Sequence, residues 1–282
     1  MSYKTLLVHI DDSRRSDTRI ALSLELAQRW DAHLIGLYVV CQDLFRPIFR
    51  QDKTLSFAQI EAQEANRRDK AGNAFLAAAE RAGRSAEWRA PPGPALDVAM
   101  LHARHADLLV LGQEDPNDPT SFVAPDFVGD LVLGAGRPAL VLPYAGEVRT
   151  LGENVLVAWD GSREAARAAA DALPLLQRAR HVGIEIVRGH GHGHVHGQHP
   201  DAPEGIDVAA WLDAHGVRAA FSTTPHTVGV GAGATLLNRA SDLHADLLVT
   251  GAYGHARARE RVFGGVTRTM LESMTMPVLM SH

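Results

Sequence analysis

Three blocks of this 282-residue chain occur twice, in the same order, and that repetition limits the possible folds more than any other feature. Thr5-Leu-Leu-Val-His-Ile-Asp11-Asp-Ser13 is matched by Asn154-Val-Leu-Val-Ala-Trp-Asp160-Gly-Ser162. Ala106-Asp-Leu-Leu-Val-Leu-Gly112 is matched by Ala245-Asp-Leu-Leu-Val-Thr-Gly251, and Arg137-Pro-Ala-Leu-Val-Leu-Pro143 by Met276-Pro-Val-Leu-Met280. A tandem duplication follows, and both halves must satisfy the same architecture.

Within each half, short apolar runs alternate with longer segments of helical period. In the first half the pattern predicts strands at Thr5–Ile10, His33–Val40, Ala86–Arg89, Asp107–Leu111 and Ala139–Leu142. Helices are expected at Asp17–Trp30, Phe57–Ala82, Ala95–His105 and Asp126–Leu133. The second half gives strands at Asn154–Trp159, Val182–Val187, Val217–Phe221, Asp246–Thr250 and Val278–Ser281, with helices at Arg163–Arg178, Ile206–His215, Gly233–His244 and Val266–Met274. Near-continuous Leu/Val strands separated by helices imply a parallel sheet covered on both faces. The expected fold class is α/β: two tandem doubly wound domains, residues 1–145 and 152–282, each a five-stranded parallel sheet.

Right-handed crossovers bring the C-terminal ends of all strands to one edge, where ligands of such sheets bind. At that edge the second half reads Leu247-Leu-Val-Thr-Gly251-Ala-Tyr-Gly254, then nine residues, then Gly264-Gly265-Val266-Thr267. Glycines let a phosphate oxygen approach backbone N–H groups, and the helix opening after them adds unpaired donors. Plain chain turning is the other reading of the same glycines.

Apolar residues make up 46% and charged residues 22%, a soluble globular composition. With 28 basic against 33 acidic side chains the net charge is −5, which offers no basic field for a nucleic-acid partner. One cysteine, Cys41, excludes an intrachain disulfide and fits a reducing compartment. The N-terminus lacks signal-peptide character, and no apolar run approaches the roughly 18 residues of a membrane span, so the expected location is the cytoplasm, with no membrane partner.

The glycine spacing resembles that of the universal stress protein family, whose nucleotide-binding members carry glycine, two residues, glycine, nine residues, glycine, then serine or threonine. The resemblance spans both halves. It implies that Asp160 meets the adenine end of a ligand and that Trp159 and Val187 line that pocket. Gly251, Gly254, Gly264, Gly265 and Val266 would form the phosphate and ribose side, for ATP or a related adenine nucleotide, with Mg²⁺ as a possible companion. Gly265 stands where the family carries its hydroxyl, and Thr267 supplies one two residues later. Arg257, Arg259 and Arg261 are either cations near phosphate or a solvated loop. The resemblance also implies sensing or regulation, and a homodimer through the fifth strand.

The first half departs from the pattern. Aligned on Pro138 and Pro277, only Gly112 is kept, while Asp115, Pro125 and Asp126 stand opposite Gly254, Gly264 and Gly265. Proline removes a donor and the carboxylates repel phosphate, so this half is expected to bind no nucleoside triphosphate. Asp11 and Asp160, each followed two residues later by a serine, also fit simple helix openings.

His190, His192, His194, His196 and His199 lie on a glycine-rich stretch; they form either a Zn²⁺, Ni²⁺ or Cu²⁺ site or a surface loop lacking the rigid surroundings of a metal centre. Leu44, Phe45 and Arg46-Pro-Ile-Phe-Arg50 form an apolar and basic patch that either docks a partner or folds onto the helix beginning at Phe57. No Gly-x-Ser-x-Gly, Gly-x-x-x-x-Gly-Lys-Ser/Thr or His-Glu-x-x-His motif is present, and no residue is an evident catalytic base. Binding is therefore favoured over catalysis, with slow ATP hydrolysis and a non-nucleotide interaction module as the alternatives.

Overall fold

A computed structural model of the chain describes residues 2–41, 57–118, 120, 123–124, 126–188, 206–225, 229–254 and 265–282. Two compact units are present, Ser2–Arg137 and Pro138–His282. In the first, the chain runs β1 (Thr5–Ile10), α1 (Ser16–Trp30), β2 (His33–Tyr38), α2 (Phe57–Arg81), β3 (Ala86–Arg89), α3 (Ala95–Ala103), β4 (Leu108–Gly112) and α4 (Phe127–Gly134). The strands stand in the order β3-β2-β1-β4, all parallel, with Thr5 to Ile10 in register with His33 to Tyr38. Helix α1 packs beside α2, and α3 beside α4. Leu6, Leu7, Val8, Leu108, Leu109 and Val110 are buried, which explains strands apolar on both faces.

The second unit begins with β5 (Ala139–Leu142) and continues β6 (Asn154–Ala158), α5 (Arg163–Asp171), α6 (Leu173–Leu176), β7 (His181–Arg188), α7 (Ile206–Ala214), β8 (Ala219–Pro225), α8 (Ala232–Asp242), β9 (Leu247–Gly251), α9 (Gly265–Ser273) and β10 (Val278–Ser281). Its strand order is β5-β10-β9-β6-β7-β8. All neighbours are parallel except β5, which lies antiparallel on β10 with Val141 opposite Val278 and Leu140 opposite Leu279. The mostly parallel α/β sheet with helices is the expected class. The fifth strand of the first half falls in the compact unit that contains the second half.

The duplicated aspartate of the Ala-Asp-Leu-Leu-Val block has a structural task in each unit. Asp107 Oδ2 accepts the backbone N–H groups of Lys4 and Thr5, at 2.7 and 3.0 Å, and so ties the start of β1 to β4. Asp246 does the same for β6, accepting from Gly152, Glu153 and Asn154 at 3.0 to 3.1 Å. Both clamps satisfy backbone donors that the first residues of a strand leave open.

Two elements differ from the sequence pattern by more than two residues at an end. The helix expected over Arg163–Arg178 is broken at Ala172 into α5 and α6, because Pro174 lacks an N–H and fits only the opening turn of a new helix. The strand expected at Val217–Phe221 runs instead from Ala219 to Pro225. Gly216 takes a left-handed φ of 77°, the Val217 N–H returns to Leu212, and β7 offers a partner as far as Arg188.

Candidate functional site

Strand order reverses beside β6, which has β7 on one side and β9 on the other, so the crevice of the second unit opens at the C-terminal ends of β6 and β9. Trp159 and Asp160 leave β6 there. Trp159 is half-buried, and its backbone N–H donates to the Glu185 backbone carbonyl at 2.9 Å, holding it beside β7. Val187, near the end of β7, is half-buried as well. Asp160 is exposed; its Oδ1 accepts the Ser162 N–H at 2.9 Å around a turn in which Gly161 has φ 74°. Ser162 caps α5, accepting the Ala165 N–H on Oγ at 3.1 Å. The helix-opening reading of this pair therefore describes what both side chains do.

Gly251 ends β9 against the first turn of α5. A Cβ there would lie 2.6 Å from the Ala165 nitrogen and 2.7 Å from the Glu164 carbonyl carbon, so only glycine admits the helix this close. A Cβ on Gly254 would stand 3.1 Å from Glu164 Oε2 and 3.5 Å from Ser162 Oγ. These contacts bring the loop after β6 and the loop after β9 together. They also place a carboxylate beside the glycines.

Glu164 is only 5% exposed. Burial raises its carboxyl, but a hydrogen bond from Arg163, its own backbone N–H and the charges of Arg163 and His282 outweigh that and hold it below the usual range. Its partner Arg163 is itself largely exposed.

Thr267, on α9, is buried, and its Oγ1 accepts the Tyr253 N–H at 3.2 Å. Tyr253 has a left-handed φ of 61°, so the hydroxyl steadies a strained residue between the two glycines. Gly265 is exposed, with no described residue within 4 Å of a Cβ built on it, and Val266 is half-buried beside it. Gly264 lies outside the described residues, as do Arg257 and Arg259, Arg261, Pro125, the Leu44–Arg50 patch and the histidines His190, His192, His194, His196 and His199. Among the described residues no group of three metal-ligating side chains gathers, and no helix is long and apolar enough to cross a membrane.

The corresponding crevice of the first unit, at the ends of β1 and β4, is filled from within. Arg19 of α1, 3% exposed, lays its guanidinium in the space beside Gly112 where a Cβ would go. It pairs with the buried Asp11, and its Nε donates to the His9 carbonyl at 3.1 Å. Burial alone would raise the Asp11 carboxyl; the Arg19 and His9 charges and hydrogen bonds from Ser13 bring it down to about 2. Asp118 then joins the two loops, accepting the Arg14 N–H at 2.8 Å. Burial and the neighbouring Asp126 charge push the Glu114 carboxyl up. Arg19 and Glu164 were missed in the sequence reading, although an arginine on the inward face of an amphipathic helix is a visible signal for the first.

The universal stress protein family model matches residues 2–143 and again residues 152–282. A universal stress protein from Archaeoglobus fulgidus DSM 4304 is similar in structure over 98% of this chain and 97% of its own, with TM-score 0.73 and 14% identity. A functionally unknown protein from Pseudomonas aeruginosa PAO1 covers 99% of this chain and 92% of its own, with TM-score 0.61 and 15% identity. A universal stress protein solved in complex with cAMP covers 51% of this chain and 100% of its own, with TM-score 0.35 and 19% identity. No curated protein matches the chain. At these identities the first two structural likenesses speak for the fold, and the family model, which fits each copy of the repeat in turn, speaks for descent: the chain belongs to the universal stress protein family.

Proposed function

We propose that the second half binds an adenine nucleotide in the crevice between β6 and β9 and that the chain acts in regulation rather than catalysis. The observation that carries this reading is the approach of Ser162 and Glu164, at the opening of α5, to Gly254, after β9, at the edge where strand order reverses. The exposed Asp160 carboxylate is free on its outer side to accept from an adenine amino group, and Trp159 and Val187 supply half-buried apolar walls. Gly264, Gly265 and Val266 complete the phosphate side on the family pattern. The first half, occupied by Arg19, is a structural or regulatory partner that binds no nucleotide. The cytoplasm and a homodimer are the setting in which we place it.

Equilibrium dialysis of the whole chain against labelled adenosine, AMP and ATP tests the reading. Saturable binding of at least one at close to one site per chain is expected, and Gly264→Asp should abolish phosphate-dependent binding while circular dichroism stays unchanged. Failure of all three ligands to bind a folded chain would end the nucleotide claim.

A further inference from the structure

We infer that Arg163 is an anion-binding residue of the second unit: Glu164 anchors its guanidinium through Nε and leaves the two terminal nitrogens for a phosphate of the bound nucleotide. The inference rests on the adenine-nucleotide reading above and adds a contact from the α5 side, independent of the glycine pattern. The anchor is built into the fold. Glu164 is nearly buried, its Cβ 2.9 Å from where a Cβ of Gly251 would be and its Oε2 3.1 Å from where one of Gly254 would be. Its Oε1 accepts from Arg163 Nε. The Arg163 side chain is itself 81% exposed, so a long cationic chain is fixed at one nitrogen beside the crevice and open at the others. Among the described residues those terminal nitrogens, and the Arg163 amide, meet no acceptor.

The repeat shows what this position attracts. Arg14 stands in the first unit where the second has Arg163, directly after the matched serine. There the chain supplies the anion itself: Asp118, from the loop after β4, accepts the Arg14 amide at 2.8 Å and lies 3.8 Å from Arg14 Nε. Asp118 is buried although Arg14 is largely exposed. Burial alone would raise its carboxyl; hydrogen bonds from Thr120 and the Arg14 amide, with the Arg14 charge, hold it below the usual range. The spacing that aligns Pro138 with Pro277 sets Arg257 opposite Asp118, so the second half does not repeat this acid in sequence. A phosphate takes its part from outside. The Arg163–Glu164 pair carries no net charge, so its pull on phosphate is that of short, charge-assisted hydrogen bonds from the guanidinium edge rather than a long-range field.

Affinities of adenosine, AMP and ATP, measured without divalent cation on the whole chain, supply the test. AMP and ATP should bind the native chain on the order of tenfold more tightly than adenosine, as one hydrogen-bonded charged contact allows. Arg163→Gln should remove that advantage and leave adenosine within about twofold. Arg163→Lys should leave most of the loss in place, because a lysine has a single nitrogen and Glu164 takes it. Arg14→Gln, in the first unit, should change none of the three. AMP binding no tighter than adenosine, Arg163→Gln weakening all three ligands equally, full recovery in Arg163→Lys, or an equal loss in Arg14→Gln overturns the inference while the nucleotide reading stands. Absence of binding by every ligand to the native chain removes both.

Discussion

A single arginine decides the chemistry of the first crevice. Arg19 and Asp11 form a buried ion pair with the His9 imidazole beside it. Burial lowers the His9 imidazole, the Asp11 charge opposes that, and the Arg19 charge adds to it, so His9 is held neutral with a hydrogen bond between Nε2 and the Val39 carbonyl at 2.9 Å. As pH falls below the ordinary imidazole value of 6.5, the unfolded chain takes up this proton before the folded one does, and stability declines. Asp11 acts in the same direction but lower: its contribution is complete above about pH 4 and is lost as pH falls through about 2. Urea unfolding should therefore show a lower midpoint at pH 5 than at pH 7.5, and His9→Gln should remove part of that difference. An unchanged pH dependence in the variant would show that other groups set it.

Between elements, the close approach of α5 to β9 is the feature most sensitive to substitution. Gly251→Ala places a methyl group against backbone atoms that cannot rotate away, and it should cost about 1–3 kcal/mol, the range for overpacked sites. Gly265→Ala, at the start of α9, meets no neighbour among the described residues and should be neutral or stabilising by about 0.4–1 kcal/mol. Thermal unfolding of the two variants separates a glycine kept for packing from one with no packing role. Sequence shows both glycines alike, because spacing records which residues share an edge but not what comes to rest on them. The strands and most helices were legible because their apolar period is local. The break at Ala172 was legible in principle from Pro174, whereas the extension of β8 to Pro225 depends on how far β7 runs beside it. Glu164 sits ninety residues from Gly254, and no local pattern announces that meeting. Arg19 was the readable one: eight residues after the repeated aspartate, the second half carries the buried Ala168 instead.

At the scale of the whole chain, the sequence repeat and the spatial units end in different places. The family model ends its first match at residue 143, whereas β5 pairs with β10 and belongs to the unit Pro138–His282. Antiparallel pairing of a strand with one more than a hundred residues away leaves no trace in periodicity, so the repeat gives no hint of this contact. A fragment of residues 138–282 should resist urea better than one of residues 152–282, since only the longer one covers Val278 and Leu279 with Leu140 and Val141. Equal midpoints would show that β5 contributes nothing to the second unit. The filled crevice of the first half has a thermodynamic consequence. A protein fold that binds a dissociable ligand gains stability with that ligand's concentration, but an occupant joined by the chain itself is present at a fixed ratio and cannot be diluted. On the proposed reading, one half of this molecule has a melting behaviour independent of added nucleotide, a built-in reference against which a response of the other half can be read.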